Sequence, residues 1–425
     1  MNSRLSKIIA LAISLLLIQF HGALSPYGYA DSNSDDWSMF HHDLAHTGYS
    51  TSSALTTPVV LWTAPKGYGG SPVVADGYVY ILDLGHLYCI RASDGHQVWN
   101  QSLPSGLPDS SPAVYGGNVY TPLTAYNAYT GEMILNYTDY QGYTSPTVAE
   151  GIIYFGSVFH GGVFALNAAT GSKIWHYTTG EVTSSPAVAN GCVYFASYNG
   201  NVYALDALTG AKIWNYKVSG FLTQSSPAVV GGRVYVGSSD NAYCLDALTG
   251  AKIWNYSISS SLSSPAVTNG CVYVGSYGNI YALNASTGAQ IWNTTGSGSS
   301  SPAVAGDVVY IGDSISIRAV NASTGAKLWN YTFPETEYYM ASSPAIVDGV
   351  VYAGNGLSLY AFGTPAPTST PSPSAPLSDL QLTVIAVVAV AVILAVLFLV
   401  YRIRRKGADK FAAQHVASTT LTDKS

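Results

Sequence analysis

The densest group of metal-capable side chains is His41, His42 and His46 with Asp43. Imidazole and carboxylate donors so close together suit Zn or Cu. Trp37, Met39 and Phe40 surround them, however, so the segment reads as an aromatic lead-in whose rings pack against the domain that follows, and no metal site is expected. Cys89, Cys192, Cys244 and Cys271 include no adjacent pair and no Cys-x-x-Cys. Free, buried thiols are the expected state. The neighbouring carboxylates Asp35 and Asp36 fall in a segment expected to be flexible. No Ser/His/Asp set can be assembled from spacing, and no phosphate-cradling glycine loop joins a strand to a helix. Two tyrosine-rich stretches are the candidate ligand contacts, because exposed rings stack on sugars or peptides. One is Tyr137, Tyr140 and Tyr143 around Asp139 and Gln141; the other is Glu335, Glu337, Tyr338 and Tyr339.

The elements that must position these side chains come from a repeat. The phrase Ala204-Leu205-Asp206-Ala207-Leu208-Thr209-Gly210-Ala211-Lys212-Ile213-Trp214 returns with a small residue, Gly and Trp at positions one, seven and eleven. It recurs at Ala165/Gly171/Trp175, Ala282/Gly288/Trp292 and Ala319/Gly325/Trp329, and with an initial Cys at Cys89/Gly95/Trp99 and Cys244/Gly250/Trp254. A degenerate copy reads Ala125/Gly131/Leu135. Between phrases stands a Ser-Pro pair, with prolines at Pro72, Pro112, Pro146, Pro186, Pro227, Pro265, Pro302 and Pro344. The unit is thus roughly 40 residues, the length of one four-stranded propeller blade.

Within the unit starting at Ser185, Ser-Pro-Ala-Val-Ala predicts an inner strand. Val193 to Ser197, Val202 to Asp206 and Lys212 to Tyr216 predict three more, separated by Asn190-Gly191, Asn199-Gly200 and Thr209-Gly210 turns. Asn-Gly pairs supply the positive φ that tight hairpins need. Proline cannot donate to a ladder, so its place is a strand start. The Trp is expected to fill the gap between adjacent blades, with the Gly allowing close backbone approach.

Eight Ser-Pro starts precede only seven phrase endings, and the last unit stops at Leu359-Tyr360-Ala361-Phe362. Pro58-Val59-Val60-Leu61-Trp62 supplies the missing strand from the other end of the chain. The fold class is therefore all-β, an eight-bladed β-propeller closed by its N-terminal strand, preferred over a seven-bladed ring. Trp62, Trp99, Trp175, Trp214, Trp254, Trp292 and Trp329 are its docking residues.

The Ala-x-Asp-x-x-Thr-Gly-x-x-x-Trp phrase resembles the docking motif of the pyrroloquinoline-quinone (PQQ)-type β-propellers. That superfamily includes quinoprotein alcohol dehydrogenases, BamB-type envelope scaffolds and sensor ectodomains. The resemblance covers residues 37–363, with Trp37 to Gly48 similar to the lead-in of such propellers. It implies fold more than activity. Its enzymes hold PQQ on calcium beside an adjacent Cys-Cys disulfide, which this chain lacks, as it lacks the Cys-x-x-Cys-His of an attached haem. PQQ and calcium are accordingly not expected, and neither is enzyme activity.

The chain ends predict the compartment. Residues 1–30 read as a signal peptide, with Arg4 and Lys7 before an apolar run and a small-x-small site at Gly28-Tyr29-Ala30. Residues 364–378 form a Pro/Ser/Thr-rich stalk. Residues 380–401 carry no charge over about 33 Å of helix, and Arg402, Arg404, Arg405 and Lys406 follow, placing residues 402–425 in the cytoplasm. A single-pass cell-membrane protein with its propeller outside is the expectation. Only 9% of residues are charged, and Asn100, Asn136, Asn255, Asn284, Asn293, Asn321 and Asn330 each open an Asn-x-Ser/Thr sequon, so glycosylation would help solubility.

Between cleavage site and membrane, nine Lys/Arg stand against 21 Asp/Glu, a net of minus twelve. Nucleic acid is excluded as a partner, because binding it starts from a basic patch. The expected role is non-catalytic binding or scaffolding of envelope proteins or surface glycans. The alternatives are a PQQ-dependent dehydrogenase and the ectodomain of an envelope sensor.

Overall fold

Alternation and tight turns make each repeat a four-stranded antiparallel sheet. In the computed structural model, blade four consists of Ala187–Ala189, Cys192–Ser197, Asn201–Asp206 and Lys212–Lys217 in consecutive pairing. The Asn190-Gly191 turn between its first two strands has φ of 52° and 74°, the left-handed pair that a two-residue hairpin demands. The structure describes residues 35–364 except 66–69, 84, 104–109, 221–224, 259–262, 277, 297–299, 314 and 335–341. The expected signal peptide, stalk, membrane helix and tail lie outside the described residues, among which no helix is long and apolar enough to cross a membrane.

Eight such sheets occur among the described residues. Numbered along the chain, blades one to seven span 73–102, 113–136, 147–177, 187–217, 228–257, 266–295 and 303–332. Blade eight joins Ala345–Val347, Val350–Gly354 and Ser358–Gly363 to Val59–Pro65, which pairs antiparallel with Ser358–Gly363. The N-terminal strand therefore closes the ring as its Trp implied. This buries an edge that would otherwise stand open.

The outer strand departs from simple alternation. In blade four, Ala204 faces Trp214 but Leu205 faces Lys212, so Ile213 is an extra, bulged residue. The same slip occurs in every blade. A bulge lets two successive side chains point outward before the next turns in. Lys212 and Ile213 are exposed while Trp214 is buried in mid-strand rather than at the strand's end. The bulge residues, from Leu61 in blade eight to Leu328 in blade seven, are 39–46% exposed and ring the molecule.

The core lies between blades. One cluster joins Tyr194, Val202, Ala204 and Trp214 of blade four to Val234, Val236, Tyr243 and Leu245 of blade five. Burying each large apolar side chain contributes about 1.5–3 kcal/mol, so each seam adds stability that no single blade holds alone.

Candidate functional site

Seven seams share one geometry. Trp214 donates its indole N–H to the Ala247 carbonyl at 2.9 Å, and Tyr194 of the same blade donates its hydroxyl to that oxygen at 3.2 Å. Trp62, Trp99, Trp175, Trp254, Trp292 and Trp329 make the same bond at 2.8–3.0 Å, to Ala92, Ala128, Ala207, Ala285, Ala322 and Leu55. The ring lies flat against the phrase glycine: a methyl added to Gly250 would sit 2.6 Å from the indole of Trp214. The phrase's Asp closes the turn that presents this carbonyl. Asp206 Oδ1 accepts from the Leu208 and Thr209 amides and from the Thr209 hydroxyl, and these bonds, the hydroxyl first, hold its carboxyl below the usual range.

The Ser-Pro serines build a belt that proline alone did not reveal. Ser185 N–H donates to Ser226 Oγ of the next blade at 2.8 Å, Ser226 to Ser264 at 2.9 Å, and Ser264 to Ser301 at 3.0 Å. Ser301 continues to Ser343, Ser343 to Ser71, and Ser111 to Ser145. In blades three to eight the preceding Ser or Thr ties the inner strand to its own second strand, as Ser225 Oγ does by accepting from the Gly237 amide at 2.9 Å. Repeated hydroxyls around the channel thus serve as blade-to-blade links. A sequence signal existed in the doubled Ser-Ser-Pro.

The lead-in occupies the channel beneath this belt. The free edge of each inner strand faces the channel, and the lead-in bonds to six of the eight edges. The amides of Val74, Val114, Val188, Val229, Val267 and Val304 donate to the carbonyls of Trp37, Ser38, Leu44, Ala45, Thr47 and Gly48 at 2.6–2.9 Å. Tyr49–Ser50 adds a parallel fifth strand to blade seven. These amides stand three residues beyond the belt serines, ~10 Å along a strand. The packing role expected of the histidines is met: His41 stacks on Phe40 at 4.9 Å, and His46 Nε2 lies 3.2 Å from Thr147 Oγ1. Both rings are buried, His41 Nε2 and His46 Nδ1 have no hydrogen-bond partner, and burial pushes the two imidazoles down to about 4 and about 3.

The acidic side of the lead-in is equally engaged. Asp35 is not in a flexible segment, because its carboxylate accepts from Ser50, Thr51, Ser52 and His42. Burial pulls His42 down, but the paired Asp43 and Asp35 outweigh it and hold the imidazole above its ordinary value. Asp43 also accepts from the Ala45 and Thr47 amides and the Thr47 hydroxyl.

The tyrosine candidates divide. Tyr137 is buried, donating its hydroxyl to the Thr121 and Thr124 carbonyls at 2.6 and 2.9 Å, and Tyr140 packs on Phe164 at 5.4 Å. Tyr137 is therefore a wall residue, whereas Tyr140, Tyr143, Asp139 and Gln141 remain at least partly accessible. Glu335, Glu337, Tyr338 and Tyr339 lie outside the described residues. The four cysteines are unpaired; Cys89 and Cys244 are buried with thiols pushed up to about 12, whereas Cys192 and Cys271 are half-exposed, contrary to the expectation of burial. Of the sequons, Asn100, Asn136, Asn255, Asn293 and Asn330 are exposed on outer strands, and Asn284 and Asn321 occupy the turn position of Asp206.

Among known proteins, the family described as outer membrane protein assembly factor BamB matches residues 51–221, 142–264 and 261–366. The structure is similar to BamB from Moraxella catarrhalis, at 16% identity over 72% of this chain and 100% of that one, with a TM-score of 0.59. It is also similar to quinohemoprotein alcohol dehydrogenase from Comamonas testosteroni, at 15% identity over 78% and 81% of the two chains with a TM-score of 0.63. A europium-containing methanol dehydrogenase aligns at 13% identity over 78% and 98%, with a TM-score of 0.66. No curated protein matches the sequence.

Proposed function

We propose, since this chain belongs to the family described as outer membrane protein assembly factor BamB, that it is a non-catalytic binding scaffold of the cell envelope. One observation carries the reading: belt serines and inner-strand amides around the channel are engaged within the chain itself. Belt serines accept from neighbouring blades, and the lead-in fills the ring below them. Binding is left to the faces and the rim. A net acidic, weakly charged propeller suits envelope proteins or surface glycans as partners, and residues 380–401 would hold it at the membrane.

The dehydrogenase neighbours define the rival reading. The residues present do not fit a PQQ site supported by a cysteine pair, since Cys89, Cys192, Cys244 and Cys271 belong to four different blades. Two measurements separate the readings. The full chain, purified from membranes and incubated with PQQ and calcium, should show neither a bound-quinone spectrum nor alcohol-dependent dye reduction. A tagged chain recovered from its own host after mild crosslinking should bring down a reproducible set of envelope proteins or glycans. Quinone binding with turnover would overturn the scaffold reading.

A further inference from the structure

Two of the most exposed apolar side chains sit at the same place in neighbouring blades. Leu248 is 80% exposed, more than any other large hydrophobic residue among those described, and Leu208 is 64% exposed. Both hold the fifth position of the docking phrase, where the other phrases carry Ser93, Tyr129, Ala169, Ser286 and Ser323. Their amides donate to Asp206 and Asp246 Oδ1 at 3.1 Å, so each leucine is fixed at the tip of a closed turn. One exposed leucine needs no explanation, but a matched pair on adjacent turns marks a contact. Lys212 and Lys252, exposed four residues on, place long cationic stems beside them.

A second observation says what the contact is with. In blade eight Ala361 faces Trp62 as Ala204 faces Trp214 in blade four, so Gly363 stands where Asp206 stands. The chain therefore leaves the propeller from the face that carries Leu208 and Leu248. It continues into the Pro/Ser/Thr-rich residues 364–378 and the uncharged 380–401, a length suited to a hydrocarbon core. The inner strands touch in chain order around the ring, blade eight meeting blade one, so blade four lies opposite blade eight. A tether on one side and leucines on the other would seat the whole face. The tether also keeps the effective concentration of lipid high, so that two shallow anchors suffice. Glu132, Glu150, Asp307 and Asp348 are exposed on the same face, which makes a zwitterionic surface a better match than an anionic one.

We propose that this face of the propeller rests on the bilayer surface, with Leu208 and Leu248 inserted among the lipid headgroups and Lys212 and Lys252 at the phosphates. The inference rests on the membrane-held scaffold reading and deepens it. The opposite face, whose hairpin loops carry the exposed Phe159 and Tyr198, is then the one turned to partners.

The test uses the full chain reconstituted into phosphatidylcholine vesicles, with a nitrobenzoxadiazole fluorophore on one introduced cysteine. Half-exposed Cys192 and Cys271 are first replaced by Val, the residue at the matching positions Val308 and Val350, while buried Cys89 and Cys244 stay. Ala169→Cys reports from the equivalent turn of blade three, beside blade four, and Tyr198→Cys reports from the opposite face. Nitroxide-bearing lipid should quench the blade-three label at least twofold more than the label on the opposite face. Leu208→Ser/Leu248→Ser, which installs the residue found at Ser286 and Ser323, should remove that difference. Equal quenching of the two labels, or blade-three quenching unchanged by the leucine substitutions, would overturn the contact. If the chain then still resists alkaline extraction from the vesicles, the membrane-held scaffold reading stands; release by alkali would remove the anchor and the contact together.

Discussion

Trp329 donates its indole N–H to the backbone carbonyl of Leu55 at 3.0 Å, across 274 residues of sequence. Blade eight ends without a docking phrase, and the lead-in supplies the missing acceptor. Tyr310 shares it, accepting from the Leu55 amide at 2.6 Å and donating to its carbonyl at 3.1 Å. The ring is thus closed twice, by the Val59–Pro65 strand and by this borrowed turn.

If the borrowed turn equals a genuine docking phrase, Trp329→Phe and Trp214→Phe should cost the same. Each keeps most of the buried ring and loses one hydrogen bond, so both should lower unfolding free energy by about 1 kcal/mol in chemical denaturation. A negligible effect at Trp329 beside a clear one at Trp214 would show that the closing seam bears no load.

The serine belt makes a sharper demand. Ser226→Ala leaves the buried Ser185 amide without its acceptor, and an unmade buried bond costs about 1–3 kcal/mol. Ser323→Ala, at an exposed turn position, should stay within about 0.5 kcal/mol. Equal effects would mean the belt contributes nothing beyond chain geometry.

Acid should loosen the lead-in. The unfolded chain takes protons on His41 and His46 below about 6.5, whereas the folded chain holds both neutral down to about 4 and about 3. Stability is then full above pH 6.5 and falls as pH drops, by roughly 2 kcal/mol per histidine at pH 4.5. His42, raised by Asp43 and Asp35, works in the opposite sense, its contribution being lost as pH rises through its folded value. Half-buried His176, lowered first by burial, adds slope of the same sign as His41 and His46. Both remain in a His41→Asn/His46→Asn double variant, so the difference in pH dependence of its denaturation midpoint isolates the two plug histidines. Parallel curves for parent and variant would refute their role.

The blade count and the seam residues were legible because each depends on side chains within one repeat: Gly210 and Trp214 keep their spacing wherever they occur. The bulge at Ile213 was not, since Lys-Ile-Trp fits alternation until the facing strand shows that Leu205 pairs with Lys212. The belt and the threaded lead-in were hidden for the same reason, as Ser185 meets Ser226 and Leu44 meets Val188 only when the ring closes. At the candidate site, sequence marked Leu135 as an exception and Tyr137 as a ligand contact. Burial reversed the second, and the contacts at Gly171 show Leu135 and Tyr137 together taking the indole's place, which one repeat could not reveal.

Sequons at two kinds of position should behave differently. Asn284 Oδ1 accepts from the Ser286 and Thr287 amides at 2.9 Å and from the Thr287 hydroxyl at 3.1 Å, so it holds a docking turn whether or not it carries a glycan. Asn284→Gln displaces that oxygen by one methylene and should cost about 1 kcal/mol, a capping-type loss. Asn284→Asp should be tolerated, because Asp206 and Asp246 occupy the same turn in blades four and five. Asn293, exposed on the outer strand, should accept Gln within about 0.5 kcal/mol in unglycosylated protein. Chain from its native host then reports modification separately: a mass decrease on enzymatic deglycosylation that is smaller by one glycan in Asn293→Gln marks that strand as glycan-bearing. A stability loss at Asn293 equal to that at Asn284 would contradict the division between turn and surface sequons.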